Sequence, residues 1–279
     1  MKTSRVKYSK FNKQFMQQVE VYGKMTDEDL KKSIKNFPYV ENSEYASLNS
    51  LKSFHDIGYE NIFIETGELY QFLKETKVIT HGDIAGQIYT AIENRDCQQT
   101  ESNGRKYRRY NFMLNAPIDK INTSLAVTII TSNIELPNAN NDLYNSLTWT
   151  GKPENGASYI VLCENTFSGS KENYWNKNDI EEFSIIINTL FYMNAFPDYV
   201  SEGVPKRAII DGDCFKNKRI TLNPNTEFLN RLSVSPHLRR GHFRTFTSDY
   251  YKNMKGKTIW IDPVFVNGKA MTVVDGISA

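Results

Sequence analysis

Asn178-Asp179-Ile180-Glu181-Glu182-Phe183-Ser184-Ile185-Ile186-Ile187-Asn188-Thr189-Leu190-Phe191-Tyr192-Met193-Asn194-Ala195 reads as a helix by its spacing. Phe183, Ile186, Ile187, Leu190 and Phe191 recur at intervals of three and four, which gathers them on one broad apolar face. Asn178 as N-cap with Glu181 three residues on is a variant capping box, and Pro197 ends the run. A face that broad needs a partner, and the flanking segments supply strands. Leu125 to Ile130 holds Val127, Thr128, Ile129 and Ile130, and Tyr159-Ile160-Val161-Leu162-Cys163 is a second such run. Both are apolar on both faces, as central strands are. The expected fold is therefore α+β: a mixed or antiparallel sheet covered by at least one amphipathic helix.

Toward the N-terminus the pattern turns helical. Thr26-Asp27-Glu28-Asp29 opens a helix, with Thr26 as N-cap and acids in the first turn, and Pro38 limits it. Ile62-Phe63-Ile64 is a short strand. Thr66 then caps a helix carrying Leu69, Tyr70, Phe72 and Leu73, and Ile84, Ile88, Ala91 and Ile92 form another helical stripe ended by polar residues 93–104. Toward the C-terminus, Ala208-Ile209-Ile210, Ile220-Thr221-Leu222, Ile259-Trp260-Ile261 and Val264-Phe265-Val266 read as strands, with Pro263 demanding an edge or a bulge. Pro137–Asn141 and Gly151–Ala157 read as loops. The division this suggests is a mostly helical region over 1–104 and an α+β region over 105–279, the two compatible with one continuous domain.

At 279 residues the chain can bury a sizeable core. Its formal charge of +2 excludes a general polycation, but the charge is uneven. Between Lys216 and Lys257 the only acids are Glu227 and Asp249, against ten lysines and arginines. A basic segment on a mildly acidic body points to a polyanionic partner, the alternative being a solvated face with none. Cys97, Cys163 and Cys214 lack metal-ligand spacing and read as free thiols in a reducing compartment. No apolar run approaches the roughly 18 residues of a membrane span, and the basic start has no apolar core behind it, so the expectation is a cytoplasmic chain with no membrane partner. No cofactor-binding or metal-binding motif is present, and neither a cofactor nor a metal is expected.

The basic segment is densest at Ser235-Pro236-His237-Leu238-Arg239-Arg240-Gly241-His242-Phe243-Arg244. Pro236 and Gly241 disfavour a helix, and Phe243, Thr245, Phe246 and Thr247 favour a strand. Extended, the segment alternates: Arg240, His242 and Arg244 share one face, and His237, Arg239 and Phe243 the other. Arginine offers forked donors to a phosphate, and histidine can donate to it or move a proton near neutral pH. Gly241 could admit a backbone or a phosphate at close range. A metal-independent ribonuclease would use His237 and His242 as base and acid, which requires a bulge at Gly241 to bring them to one phosphate. The bland alternative has the arginines paired with acids or carbonyls and the histidines stacked on Trp260 or Phe246.

A second basic-aromatic run, Arg105-Lys106-Tyr107-Arg108-Arg109-Tyr110, suits a nucleic-acid strand, with bases on aromatics and cations along the backbone. It equally suits a strand edge protected by charge. His81-Gly82-Asp83 reads as a helix start, Asp211-Gly212-Asp213 as a hairpin turn, and Glu65-Thr66-Gly67-Glu68 as a capped helix rather than as metal sites.

Val234-Ser235-Pro236-His237-Leu238-Arg239-Arg240-Gly241-His242-Phe243-Arg244, followed by Ile259-Trp260-Ile261-Asp262-Pro263, resembles a C-terminal signature, PHxRRGHxR…WIxP, of a family of phage, plasmid and other mobile-element proteins. No activity attaches to that signature, so the resemblance carries over no catalytic residue. It implies a setting rich in nucleic-acid handlers, toxins and inhibitors of host defence. The leading expectation is a mobile-element protein that binds nucleic acid, or another phosphate-bearing ligand, through Arg239, Arg240, Arg244, Arg105, Lys106, Arg108 and Arg109. Beside it stand a ribonuclease-like toxin using His237 and His242, and an inhibitor of a host defence nuclease with a host protein as partner. Binding is favoured over chemistry.

Overall fold

The structure is a computed structural model. It describes residues 6–8, 11–26, 28–30, 32, 42–78, 84–102, 104–118, 121–133, 145–151, 158–162, 167–169, 177–210, 218–225, 238–239, 241–261 and 264–265. The fold is α+β, built on one mixed sheet with helices on both faces.

The sheet grows from two long strands, β4 (Arg105–Ile118) and β5 (Ile121–Ser132), paired antiparallel from Tyr107↔Ser132 to Ile118↔Ile121. Beyond β5 the meander continues antiparallel through β6 (Ser146–Thr150), β7 (Ser158–Leu162) and β8 (Phe167–Gly169). The other edge of β4 is shared. Its first half pairs antiparallel with β3 (Gln98–Ser102), and its second half pairs parallel with β2 (Glu60–Ile64). After β2 come β11 (Arg219–Leu222), parallel to it, and β9 (Val200–Glu202), antiparallel. Strands from both sides of residue 104 thus interleave in one sheet, and that position marks no break in it. The separate pair β1 (Val6–Lys7) and β10 (Ala208–Ile209) places Tyr8 edge-on against Phe63.

Alternation along the strands builds two cores. On one face Ile62, Ile64, Tyr110, Phe112, Leu114, Leu125, Val127 and Ile129 meet three helices: α3 (Gly67–Glu75), α4 (Ile84–Ala91) and α5 (Lys177–Ala195). Helix α3 begins where the sequence marks it, the Thr66 hydroxyl accepting from Leu69 N at 3.2 Å. Helix α5 buries Phe183, Ile186, Ile187, Leu190 and Phe191 as expected, but starts at Lys177, so Asn178 lies within its first turn rather than at the cap. On the opposite face Met113 and Ala126 meet Phe11, Phe15 and Val19 of α1 (Phe11–Tyr22) and Leu51 and Phe54 of α2 (Asn42–Ile57). That face also buries a polar network: Asn111 Nδ2 donates to the Ser53 and Gly58 carbonyls at 3.1 and 3.0 Å, and its Oδ1 accepts from Thr128 at 3.0 Å. Thr26 accepts from Asp29 N at 3.1 Å, as an N-cap does.

Pro38, His81–Asp83, Pro137–Asn141, residues 152–157, Asp211–Asp213, Cys163, Cys214 and Pro263 lie outside the described residues. Cys97 is a half-buried thiol pushed up by burial, its Sγ–H donating to Ile92 O. No described helix is long and apolar enough to cross a membrane.

Candidate nucleic-acid interface

The fold-deciding helix is also what holds the basic hairpin. β13 (His242–Thr245) pairs antiparallel with β14 (Thr258–Ile261), from His242↔Ile261 to Thr245↔Thr258. Its inward side is Phe243 and Thr245, both buried. Phe243 sits among aromatic rings, 5.0 Å from Trp260, 6.1 Å from Phe72 and Phe196, and 6.4 Å from Phe191 and Tyr192. Contacts of this kind add about 0.5–1.5 kcal/mol each beyond the area they bury. Below them Asn194 of α5 donates to Thr258 Oγ1 at 2.8 Å, and Thr258 and Thr245 share a hydrogen bond of 2.7 Å. Tyr192 closes the floor, its hydroxyl donating to Asn223 O at 2.7 Å and pushed up to about 12 by burial.

With Phe243 inward, alternation turns His242 and Arg244 outward. His242 is half-buried and Arg244 exposed. The Arg244 guanidinium lies 5.3 Å over the Phe246 ring and 5.6 Å over that of Tyr251, and Nη2 donates to the Tyr251 hydroxyl at 3.2 Å. These contacts orient the arginine without neutralising it, since no carboxylate pairs with it among the described residues. The turn that follows carries Lys252, Lys255 and Lys257, all exposed, and Tyr250, which is 85% exposed. Lys255 pairs with Asp249, the one acid of the turn.

Gly241 is not open to a ligand. It is buried under the Trp260 indole, where a side chain would collide with the ring and with Ile261 O. Of the two occupants expected at this glycine, a backbone or a phosphate, it is a backbone, the Ile261 carbonyl, that comes close, together with the Trp260 ring. β12 (Leu238–Arg239) pairs with β15 (Val264–Phe265), setting Arg239 opposite Val264. His242 faces Ile261 in the β13–β14 ladder. His237 and Arg240 lie outside the described residues.

The second basic run divides by burial. Arg108 is 6% exposed and occupied, donating to Tyr89 O at 2.7 Å and to Glu93 Oε1 at 3.0 Å, with its guanidinium 3.8 Å over the Tyr89 ring. It ties β4 to α4 and offers no free fork. Lys106 is exposed opposite Glu101, while Arg105 and Arg109 are half-exposed opposite Ser102 and Gln98. Helix α4 stands between the two basic runs: Tyr89 takes Arg108, and a Cβ added at Gly256 in the hairpin turn would lie 3.9 Å from Thr90 Cγ2. Among the described residues no three His, Cys, Asp or Glu side chains gather as a metal site would require.

Tyr250 and Tyr251 escaped sequence reasoning. Asp249-Tyr250-Tyr251-Lys252 has no apolar periodicity, and its only signal was two aromatics in a lysine-rich turn. Comparison with known proteins returns no matching family model, no similar curated protein and no similar solved structure.

Proposed function

We propose that the chain is a mobile-element protein that binds nucleic acid through the β13–β14 hairpin. The observation that carries the proposal is the two-sidedness of that hairpin. One side is anchored by Phe243 and Thr245 in the core, while Arg244 and the turn lysines 252, 255 and 257 project from the rest with a single acid among them. Burial of one side gives the cations a rigid base, and a fixed array of positive charge beside exposed aromatics is what a phosphate backbone requires. Lys106, Arg105 and Arg109 extend the basic character on the far side of α4. The mobile-element setting rests on the C-terminal signature alone.

The test is a salt titration of binding to RNA and DNA. The logarithm of the affinity is expected to fall linearly with the logarithm of salt concentration, and Arg244→Ala or Lys252→Ala to flatten that slope by about 0.7–0.9 for each phosphate contact removed. Absent or salt-insensitive binding overturns the proposal.

A further inference from the structure

We infer that the ligand of this hairpin is a single-stranded nucleic acid, and that Tyr250 is the platform on which one of its bases stacks. The inference rests on the nucleic-acid reading above and narrows it. Tyr250 is the most exposed of the large hydrophobic side chains described, yet it is held in place. Its backbone N–H donates to Ser248 Oγ at 3.2 Å, which caps the short 3-10 turn Asp249–Tyr251. Its ring meets that of Tyr251 edge-to-face, 5.1 Å away at 89°. Tyr251 in turn lies 4.7 Å from the buried Phe246, and its hydroxyl accepts from Arg244. Three rings thus run from the hairpin's base to solvent, with the Arg244 guanidinium over the inner two and Lys252 next in sequence to Tyr251.

A tyrosine left in water forfeits the gain of burying its ring, and holding it in a capped turn adds an entropic cost. An occupant that covers an aromatic face recovers both. A base in a duplex is already stacked on both sides and cannot cover Tyr250, whereas an unpaired base presents an open π-face. The cations near the rings then meet the phosphates on either side of the stacked nucleotide. Every base has such a face, so the geometry points to a strand recognised without strong sequence preference.

The experiment uses the full chain and fluorescein-labelled strands about 12 nucleotides long, a length one binding unit can span. Single-stranded RNA, single-stranded DNA and the blunt DNA duplex are compared by anisotropy. Single strands are expected to bind more tightly than the duplex. Tyr250→Ala is expected to weaken single-strand binding about 5- to 150-fold, Tyr250→Phe to restore it, and neither to change duplex binding. A strand carrying 2-aminopurine should be quenched on binding by the natural chain and by Tyr250→Phe but not by Tyr250→Ala. Salt-dependent binding that favours the duplex, or that ignores Tyr250→Ala, overturns this inference and leaves the nucleic-acid reading standing. No binding to any of the three overturns both.

Discussion

Trp260 lays its indole against Gly241 so closely that a Cβ added there would stand 2.7 Å from Cε2 and 2.9 Å from the Ile261 carbonyl oxygen. The ring is boxed in by Phe243 and Phe72, at 5.0 and 5.3 Å, and cannot back away without disturbing them. Gly241→Ala is therefore expected to destabilise the chain by about 1–3 kcal/mol, the usual range for overpacking. Urea unfolding measures it, and a midpoint unchanged from the natural chain would show the indole seated elsewhere.

Arg108 and Arg244 are expected to separate stability from binding. Arg108→Ala strips Tyr89 O of its donor and removes the cation from the Tyr89 ring. The expected loss is about 1–3 kcal/mol, with little contribution from the half-exposed Glu93 pair. Arg244→Ala, on the surface, is expected to stay within about 0.5 kcal/mol and to weaken nucleic-acid binding instead. Thermal melts and anisotropy on the same two variants check the split. An Arg244→Ala chain that unfolds early yet binds normally would reverse the assignment.

Glu182 is expected to make the stability of the fold depend on pH. Burial raises its carboxyl, and the Asp179 charge adds to this, against a hydrogen bond of 2.6 Å that it accepts from Trp149 Nε1. A raised carboxyl means the native state holds its proton more tightly than the unfolded chain. The Glu182 contribution to stability therefore falls as pH rises from the ordinary carboxylate value, about 4.3, through the raised native one. Glu182→Gln keeps an acceptor for Trp149 and carries no charge. It is expected to flatten that part of the profile and to leave the chain as stable or more so at neutral pH. Urea midpoints across this range for both chains decide it, and identical slopes would show that Glu182 titrates normally.

Asn111 joins β4 to the helix layer that the basic hairpin does not touch. Truncation to alanine removes the donor to the Ser53 and Gly58 carbonyls and one partner of the Thr128 hydroxyl, which keeps its 2.7 Å hydrogen bond with Ser50. Each buried group left unsatisfied costs about 1–3 kcal/mol, so Asn111→Ala is expected to rank among the more damaging single changes. A loss below about 1 kcal/mol would mean that water replaces the amide.

What could be read from the sequence follows from where side chains carry their own signal. Helix α5 announces itself because five apolar residues share one period, and α3 because Thr66 caps it. The run 105–110 was legible as a charged strand edge, but β4 is interior, paired with β3 and β5, and alternation alone cannot separate the buried Arg108 from the exposed Lys106. β3, Gln98–Ser102, is polar throughout and pairs only because β4 overshoots β2. Glu60 is 2% exposed at the start of a central strand, where it accepts from the Tyr110 hydroxyl, and no local pattern foretells such a partner from a distant strand. At the hairpin, the outward pairing of His242 and Arg244 follows from alternation, but the meaning of Gly241 depended on Trp260, which is adjacent only once the hairpin closes.

The placing of β2 has a consequence for how the chain comes to be folded. Its partners are residues 112–115 on one side and 219–222 on the other, both parallel, so neither pairing can begin as a hairpin. During synthesis the 105–132 hairpin can close early, while one edge of β2 waits for a strand made more than a hundred residues later. Contacts this distant slow folding, and an open edge beside a finished hairpin invites pairing with a neighbour. A chain ended before residue 219 would carry that open edge permanently, and aggregation on release from the ribosome is its expected fate.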